Sequence, residues 1–210
     1  MTAKRASRLA PERRRAQLLD IGLQLLTEQS PDELSTDEVA RRAGISRGLL
    51  FHYFASKREF HEAIVRKACD ELIAATTPDP SLDTEAWLDA AMSGFVDYVL
   101  ANRTAYLTVV RGAPTGNPAV QEIVDETHRT LAGRVLAYHR RVGLPDQPHL
   151  DVVAQAWMAL SQEATVNWPL HEPGARDELN RFLKRSLTAV LAVPVREESA
   201  GPARTGMRAP

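Results

Sequence analysis

Apolar residues recur every three to four positions along nearly the whole chain, and this helical spacing limits the possible folds more than any other feature. The one run that resembles a β-strand, residues 106–110, has no second run with which to form a sheet. The sequence therefore predicts an all-α fold. Clusters of Pro and Gly divide it into nine helices, over about residues 11–30, 35–44, 46–54, 57–75, 83–101, 104–111, 118–142, 150–168 and 175–193.

Charge is distributed unevenly, although the formal net charge of the 210 residues is only -1. Residues 1–59 contain eleven Lys and Arg against eight Asp and Glu, whereas residues 60–210 contain fifteen against nineteen. The N-terminal part is therefore expected to attract phosphates, although a short basic terminus that is merely solvated would look the same. Most of its positive charge lies in the first fifteen residues, on Lys4, Arg5, Arg8, Arg13, Arg14 and Arg15.

Cys69 is the only cysteine, so an intramolecular disulfide is impossible and a reducing, cytoplasmic location is expected. It shares a helical face with Val65 and Leu72, which predicts a buried, unreactive thiol rather than a redox sensor. No apolar run approaches the ~20 residues that span a bilayer, and no membrane partner is predicted.

Two short helices around a glycine turn are predicted between residues 35 and 54. Ser35 and Glu38 have the spacing of a capping box at the start of the first helix. Ala40 is small enough for the two helices to cross closely, and Gly44 can adopt the positive φ that the turn requires. The pattern indicates a helix-turn-helix, although a simple helical hairpin would share it.

The segments VARRAGIS (residues 39–46) and FHYFASK (residues 51–57) closely resemble the N-terminal signature of the TetR family of transcriptional regulators, over about residues 12–65. The resemblance implies a dimeric repressor that binds double-stranded DNA at a palindromic operator and is released by a small-molecule effector. An activator, or a regulator controlled by a protein partner, is left open. The family usually has tyrosine where this chain has Phe51, whose ring is still expected to pack.

The predicted organisation has four parts. A flexible basic arm (residues 1–11) precedes a three-helix helix-turn-helix domain (12–56). A six-helix domain for effector binding and dimerisation follows (57–194), and a disordered tail ends the chain (195–210).

The resemblance places the third helix in the major groove. It implies DNA contacts from Thr36, Arg47, Gly48, Leu49, His52, Tyr53 and Lys57. Arg47 is expected to bind a guanine edge through two hydrogen bonds, and Gly48 lets the backbone approach the DNA closely. Thr36, Tyr53 and Lys57 are expected to donate to phosphates, whereas an ordinary surface histidine is the alternative for His52.

Aromatic residues of the six-helix domain, together with the resemblance, suggest an effector site for an apolar or planar ligand. The predicted lining is Trp87, Phe95, Tyr98, Tyr106, Val110, His128 and Trp157. Aromatics at helical spacing are equally expected in an ordinary core. His128 lies within an apolar stripe, where a buried core histidine is also expected.

The last two helices carry enough apolar residues for a two-fold, four-helix interface between two copies of the chain. This prediction rests partly on the resemblance. The predicted interface residues are Trp168, Leu179, Phe182, Leu183, Leu187 and Val190.

Enzyme motifs are missing from the sequence, which has no glycine-rich phosphate loop after a strand, no G-x-S-x-G segment and no His or Cys cluster with metal-ligand spacing. No enzymatic activity, cofactor or metal is therefore predicted. A purely architectural DNA-binding protein would require a strongly basic chain, which the net charge excludes.

Overall fold

The computed structural model describes residues 10–28, 34–109 and 117–193, and all regular secondary structure within these ranges is α-helical, as predicted. The predicted arm as far as residue 9, the predicted tail and Val110 lie outside the described residues. No helix in these ranges has the length and apolar character that a membrane span requires. The described helices are α1 (Pro11–Leu25), α2 (Thr36–Ala43), α3 (Arg47–Tyr53), α4 (Lys57–Ala75), α5 (Thr84–Ala101), α6 (Arg103–Val109), α7 (Pro118–Arg141), α8 (Leu150–Asn167) and α9 (Ala175–Ala192).

Serine side chains start three consecutive helices. Ser35, Ser46 and Ser56 each accept a hydrogen bond from the backbone N–H three residues ahead, at 3.3, 3.2 and 3.0 Å, and so begin α2, α3 and α4. Only the serine half of the predicted capping box forms this way, because the Glu38 carboxylate accepts hydrogen bonds from Arg41 and Arg42. Residues 35–57 therefore fold into short helices through contacts that are local in sequence.

The fourth helix connects the two predicted domains. It packs on α1 on one side and on α7 on the other, and its buried residues belong to one hydrophobic core that extends from Leu18 to Leu191. Cys69 lies in this core, 1% exposed, and burial raises the pKa of its thiol. The prediction of a buried cysteine is confirmed. A displacement of α4 would therefore disturb its packing with both α1 and α7.

A close helix crossing fixes the C-terminal end of α4. The backbone of α5 passes so near to it at Gly94 that a Cβ atom there would overlap the carbonyl oxygen of Ala75 and lie 3.0 Å from its carbonyl carbon. Only glycine allows this approach without movement of one helix. Gly94 thus holds α5 against the end of α4.

The apolar stripe of α9 faces its own chain, which corrects the predicted dimer interface. Leu179, Leu183 and Leu187 are 0–1% exposed because α9 packs on α5 and α8. These three leucines are unable to meet a second copy of the chain without unfolding of the protomer. Phe182, in contrast, is 38% exposed.

Candidate nucleic-acid interface and cavity

The turn between α2 and α3 has the predicted geometry. Gly44 has φ 65° and ψ 35°, and its N–H donates to the carbonyl of Arg41 at 3.2 Å. Ala40 and Leu50 are buried at 3% and 0% exposure and join the two helices to the core. Because residues on both sides of the turn are packed into the core, the position of α3 relative to α2 is fixed by these contacts.

The outward face of α3 carries four of the predicted DNA-contacting residues. Arg47, Gly48, Leu49 and His52 are all exposed, including the apolar Leu49 at 40%. Gly48 has no packing role, because the nearest atom to an added Cβ is the Ser46 hydroxyl oxygen at 4.0 Å. This face therefore has no side chain at Gly48, and a large partner can approach the helix backbone there.

Arg47 has weak contacts in the free protein. Its guanidinium lies 3.4 Å from the Asp37 carboxylate and 5.5 Å from the centre of the Phe51 ring. Both members of the ion pair are more than half exposed, so the pair contributes little to folding and can exchange for another partner. The Phe51 ring packs against the core, as predicted, and the contact with Asp37 was not foreseen from the sequence.

The residues predicted to bind phosphates differ in exposure. Thr36 is only 6% exposed, because α2 packs against both α1 and α3, so little of its surface is available for the predicted phosphate contact. Tyr53 is half-buried at the end of α3, and Lys57 is exposed as the first residue of α4. This arrangement leaves Tyr53 and Lys57 as the accessible donors beside α3.

Arg41 and Arg42, adjacent basic residues of α2, are engaged within the domain. Arg42 donates to Glu28, which follows α1, at 2.6 Å, and to Glu38 at 2.8 Å. Hydrogen bonds from Arg41 and Arg42 lower the pKa of Glu38 to about 2, so this carboxylate stays ionised at neutral pH. Arg42 therefore connects α2 to the end of α1, whereas Arg41 pairs with Glu38 within α2.

A small apolar cavity of about 40 Å³ lies between the end of α4 and helices α5, α7 and α8. Three of the predicted ligand residues, Trp87, Phe95 and Trp157, line it. Tyr98 does not, because its hydroxyl donates to the backbone carbonyl of Ala68 at 2.8 Å, and Tyr106 is buried with its ring 6.3 Å from that of Phe95. Sequence spacing alone did not distinguish the cavity aromatics from the core aromatics.

His128 is separate from this cavity, which corrects its predicted place in the ligand site. It lines a groove between α7 and α8, where a ring nitrogen lies 3.2 Å from the amide nitrogen of Gln162. Burial lowers the pKa of its imidazole. His128 is therefore a half-buried, hydrogen-bonded histidine on the other side of Met158.

Several cavity residues were missed by the sequence analysis, of which Arg134 is the most distinctive. It follows Leu131 on the inward face of α7 and precedes Tyr138, and all three line the cavity. The sequence signal that could have identified Arg134 is its position within an apolar stripe of α7. Met158 and Ser161 of α8 were also missed, because nothing in their spacing distinguishes them from core residues.

Two family models match the chain. Residues 18–64 match the bacterial regulatory proteins of the tetR family. Residues 84–190, about half of the chain, match the tetracyclin repressor-like C-terminal domain. The first match covers the helix-turn-helix, and the second covers the helices around the cavity.

Individual relatives agree with these matches. The chain is 23% identical to the HTH-type transcriptional activator FasR of Mycolicibacterium smegmatis, over 79% of this chain and 76% of FasR. It is 35% identical to the HTH-type transcriptional regulator BetI of Cronobacter sakazakii, but over only 40% of this chain and 44% of BetI.

Solved structures have the same architecture. A tetR-family transcriptional regulator from Streptomyces coelicolor superposes with a TM-score of 0.73 and 28% identity, over 88% of this chain and 84% of that one. A TetR-like regulator from Rhodococcus sp. RHA1 has the same fold, with a TM-score of 0.68 and 23% identity over 86% and 99% of the two chains.

Proposed function

The chain belongs to the TetR family of bacterial regulatory proteins, and on this premise we propose that it is a dimeric repressor that a small apolar effector releases from a palindromic operator. It is a DNA-binding transcriptional regulator, and its matched family and relatives are regulators rather than enzymes. The observation that carries the proposal is the outward face of α3, where Arg47, Gly48 and Leu49 are exposed on a rigid helix-turn-helix.

Arg47 is the base-reading residue in this proposal. Its guanidinium presents two parallel N–H donors to the two acceptors of a guanine edge. The exposed pair with Asp37 holds the side chain near the face of α3 but costs little to break. Gly48 lets the helix backbone approach the groove, and Leu49 offers an apolar contact of the kind that a thymine methyl accepts.

The DNA contacts are tested by comparing Arg47→Ala with Lys57→Ala on an operator selected from genomic fragments. Arg47→Ala is expected to relax base preference at one position per half-site, by about 1–3 kcal/mol, because it removes a bidentate contact. Lys57→Ala is expected to weaken binding to all sequences alike and to reduce the salt dependence, because it removes a phosphate contact. Fluorescence anisotropy across operator variants and salt concentrations measures both effects. Equal losses of Arg47→Ala on every DNA would contradict its assignment.

Exposed apolar side chains on α8 and α9 support a dimer through these helices. Val152 on α8 is 55% exposed, and Phe182 on α9 is 38% exposed. Ala156, Ala159 and Ala189 are exposed on the same two helices and are small enough for close helix packing.

Of the predicted interface residues, Phe182, Val190 and Trp168 stay in the proposal, with the Phe182 and Trp168 rings 5.2 Å apart. Two copies joined here would offer two recognition helices to a palindrome, whose half-sites lie about 34–36 Å apart.

Phe182→Asp is expected to convert the dimer to a monomer, because it places an unpaired charge in an apolar interface. Light scattering measures the mass of the protein in solution. Val142→Asp is a matched control, because Val142 is also an apolar residue at 38% exposure but lies at the end of α7. A Phe182→Asp protein with the mass of the native one would exclude this surface as the interface.

The effector site of the proposal is the cavity that Trp87, Phe95 and Trp157 line. Helix α4 connects it with the DNA-binding domain, since Lys57 begins the helix beside α3 and Thr76, directly after its last residue, lines the cavity. A ligand that favours one position of α4 shifts the population of DNA-binding protein. A thousandfold loss of operator affinity requires a difference of about 4 kcal/mol between the two states.

Activation is the second candidate function, because the relative FasR is described as a transcriptional activator. The same DNA contacts are compatible with repression and with activation. Which of the two results depends on where the operator lies relative to the promoter. In vitro transcription from the selected operator with its own promoter decides between them. Less transcript in the presence of the protein supports repression, and more transcript supports activation.

A further inference from the structure

Arg134 is a half-buried cation on the inward face of α7. Its guanidinium donates to the backbone carbonyl of Ile73 at 2.8 Å, to the Thr77 hydroxyl at 2.6 Å and to the Thr76 hydroxyl. Within the part of the chain that the structure describes, it forms no ion pair. Burial lowers the pKa of the side chain, as expected for a cation taken from water without a counterion.

Arg141, two turns further along α7, is exposed rather than half-buried but makes contacts of the same kind. Its guanidinium donates to the backbone carbonyl of Leu82 at 2.6 Å and lies 5.4 Å from the centre of the Trp87 ring. It too has no ion pair among the residues that the structure covers. Arg134 therefore binds the C-terminal end of α4 and Arg141 binds the segment between α4 and α5, and neither charge is paired with an acid among the described residues.

The cavity beside these arginines is otherwise apolar. Arg134 is the only charged residue among its described lining residues, and the walls are formed by Trp87, Phe95, Val135 and Trp157 together with the methionines at positions 92 and 158. An arginine at the edge of an apolar cavity matches a ligand that has an apolar body and one negative group.

We propose that the cavity takes an apolar anion, an aromatic or aliphatic body with one carboxylate or phosphate, and that Arg134 binds its oxygens while Arg141 adds to the positive field. This inference rests on the proposed control by a small molecule and names the chemical class of that molecule. Arg134 has the stronger role because it lines the cavity, where its guanidinium can pair with an oxyanion through two hydrogen bonds.

Ligand entry requires the lining to move. A volume of about 40 Å³ holds a few water molecules, whereas pockets for small ligands have about 300 Å³ or more. An oxyanion competes with the Ile73 carbonyl and the two threonine hydroxyls for Arg134, and it is the stronger acceptor because it carries a full negative charge and can pair with the guanidinium through two hydrogen bonds. In this proposal, anion binding loosens the contact of Arg134 with the C-terminal end of α4. The flexible side chains of Met92 and Met158 allow the apolar walls to adjust.

Matched acids and amides test the charge requirement on the full-length protein. The probes are 2-naphthoate and octanoate, each beside its uncharged amide of the same shape, and octyl phosphate as the phosphate arm. Isothermal titration calorimetry without DNA measures binding. We expect at least one acid to bind tenfold or more tightly than its amide, and the stronger of octanoate and octyl phosphate identifies the preferred oxyanion.

Variants of the arginine separate ligand binding from a structural role. Arg134→Gln is expected to bring the acid-to-amide affinity ratio close to one, whereas Arg134→Lys retains part of the preference, because it keeps the charge but not the bidentate geometry. The ratio is measured within each protein, so a loss of stability cancels from it. Arg129→Gln is the matched control, because Arg129 is an exposed arginine of α7 that lines the separate groove beside His128. It should leave the ratio unchanged.

The outcomes distinguish this inference from the proposed repression mechanism. Failure of every acid to bind, equal affinity for acid and amide, or an unchanged ratio in Arg134→Gln would overturn the ligand class. Binding of an acid to the native protein without release from the operator, measured by anisotropy, supports the ligand class and overturns release by that ligand.

Discussion

Gly94→Ala is expected to lower the free energy of unfolding by about 3 kcal/mol, because the added methyl group overlaps the backbone carbonyl of Ala75. A backbone atom is unable to rotate away as a side chain does, so α5 or the end of α4 must shift. Urea denaturation followed by circular dichroism measures the change.

Gly133→Ala is the matched control for this substitution. Gly133 also lies within a helix, α7, but an added Cβ meets no atom within 4 Å. The control is expected to raise the free energy of unfolding by about 0.5–1 kcal/mol, since alanine favours the helix and restricts the unfolded chain. A Gly94→Ala protein that unfolds at the native urea midpoint would contradict the close crossing.

Gly48→Glu is expected to weaken operator binding by more than a hundredfold without lowering thermal stability. The Cβ position is open except for the Ser46 hydroxyl at 4.0 Å, and an acid in the first turn of a helix is favourable. Against DNA, however, the carboxylate faces phosphates and base edges, and like charges at an interface cost several kcal/mol. Fluorescence anisotropy with the operator measures the loss, and circular dichroism measures the melting temperature.

The same change at Gly133 tests whether added negative charge alone is responsible. Gly133→Glu adds one acid to an exposed helical position on α7, outside the helix-turn-helix. It is expected to reduce DNA affinity only slightly, because charges more than about a Debye length away, ~10 Å at 0.1 M salt, are screened. If both variants lose affinity equally, or if Gly48→Glu binds like the native protein, α3 is not the contacting helix.

The helix-turn-helix followed from the sequence because its signals are local. Ser35, Ser46 and Ser56 satisfy N–H groups only three residues ahead, and Gly44 adopts the positive φ at the end of α2. Each of these interactions needs neighbours in the chain and no distant partner. The helix boundaries could therefore be predicted without a tertiary structure.

Burial was harder to predict, because it depends on residues far apart in sequence. Thr36 lies at the start of α2, a position consistent with phosphate binding, yet α1 and α3 cover it. Tyr98 and Trp87 lie on one predicted helix, but only Trp87 lines the cavity, since the Tyr98 hydroxyl binds α4 at Ala68. The helical periodicity predicted that both side chains point into the domain, but it did not predict which of them lines the cavity.

Apart from the end of α1, which lies at Leu25 and not near residue 30 as predicted, the helix boundaries, the glycine turn and the all-α architecture could be predicted from the chain itself, through caps, breaks and periodic apolar residues. Only the tertiary structure decided that the leucines of α9 face their own protomer, because spacing at i and i+4 is the same whether a stripe meets its own chain or another. It alone also placed Arg134 against the end of α4, 61 positions away from Ile73 along the chain. Such contacts arise from helix packing, which no local pattern specifies.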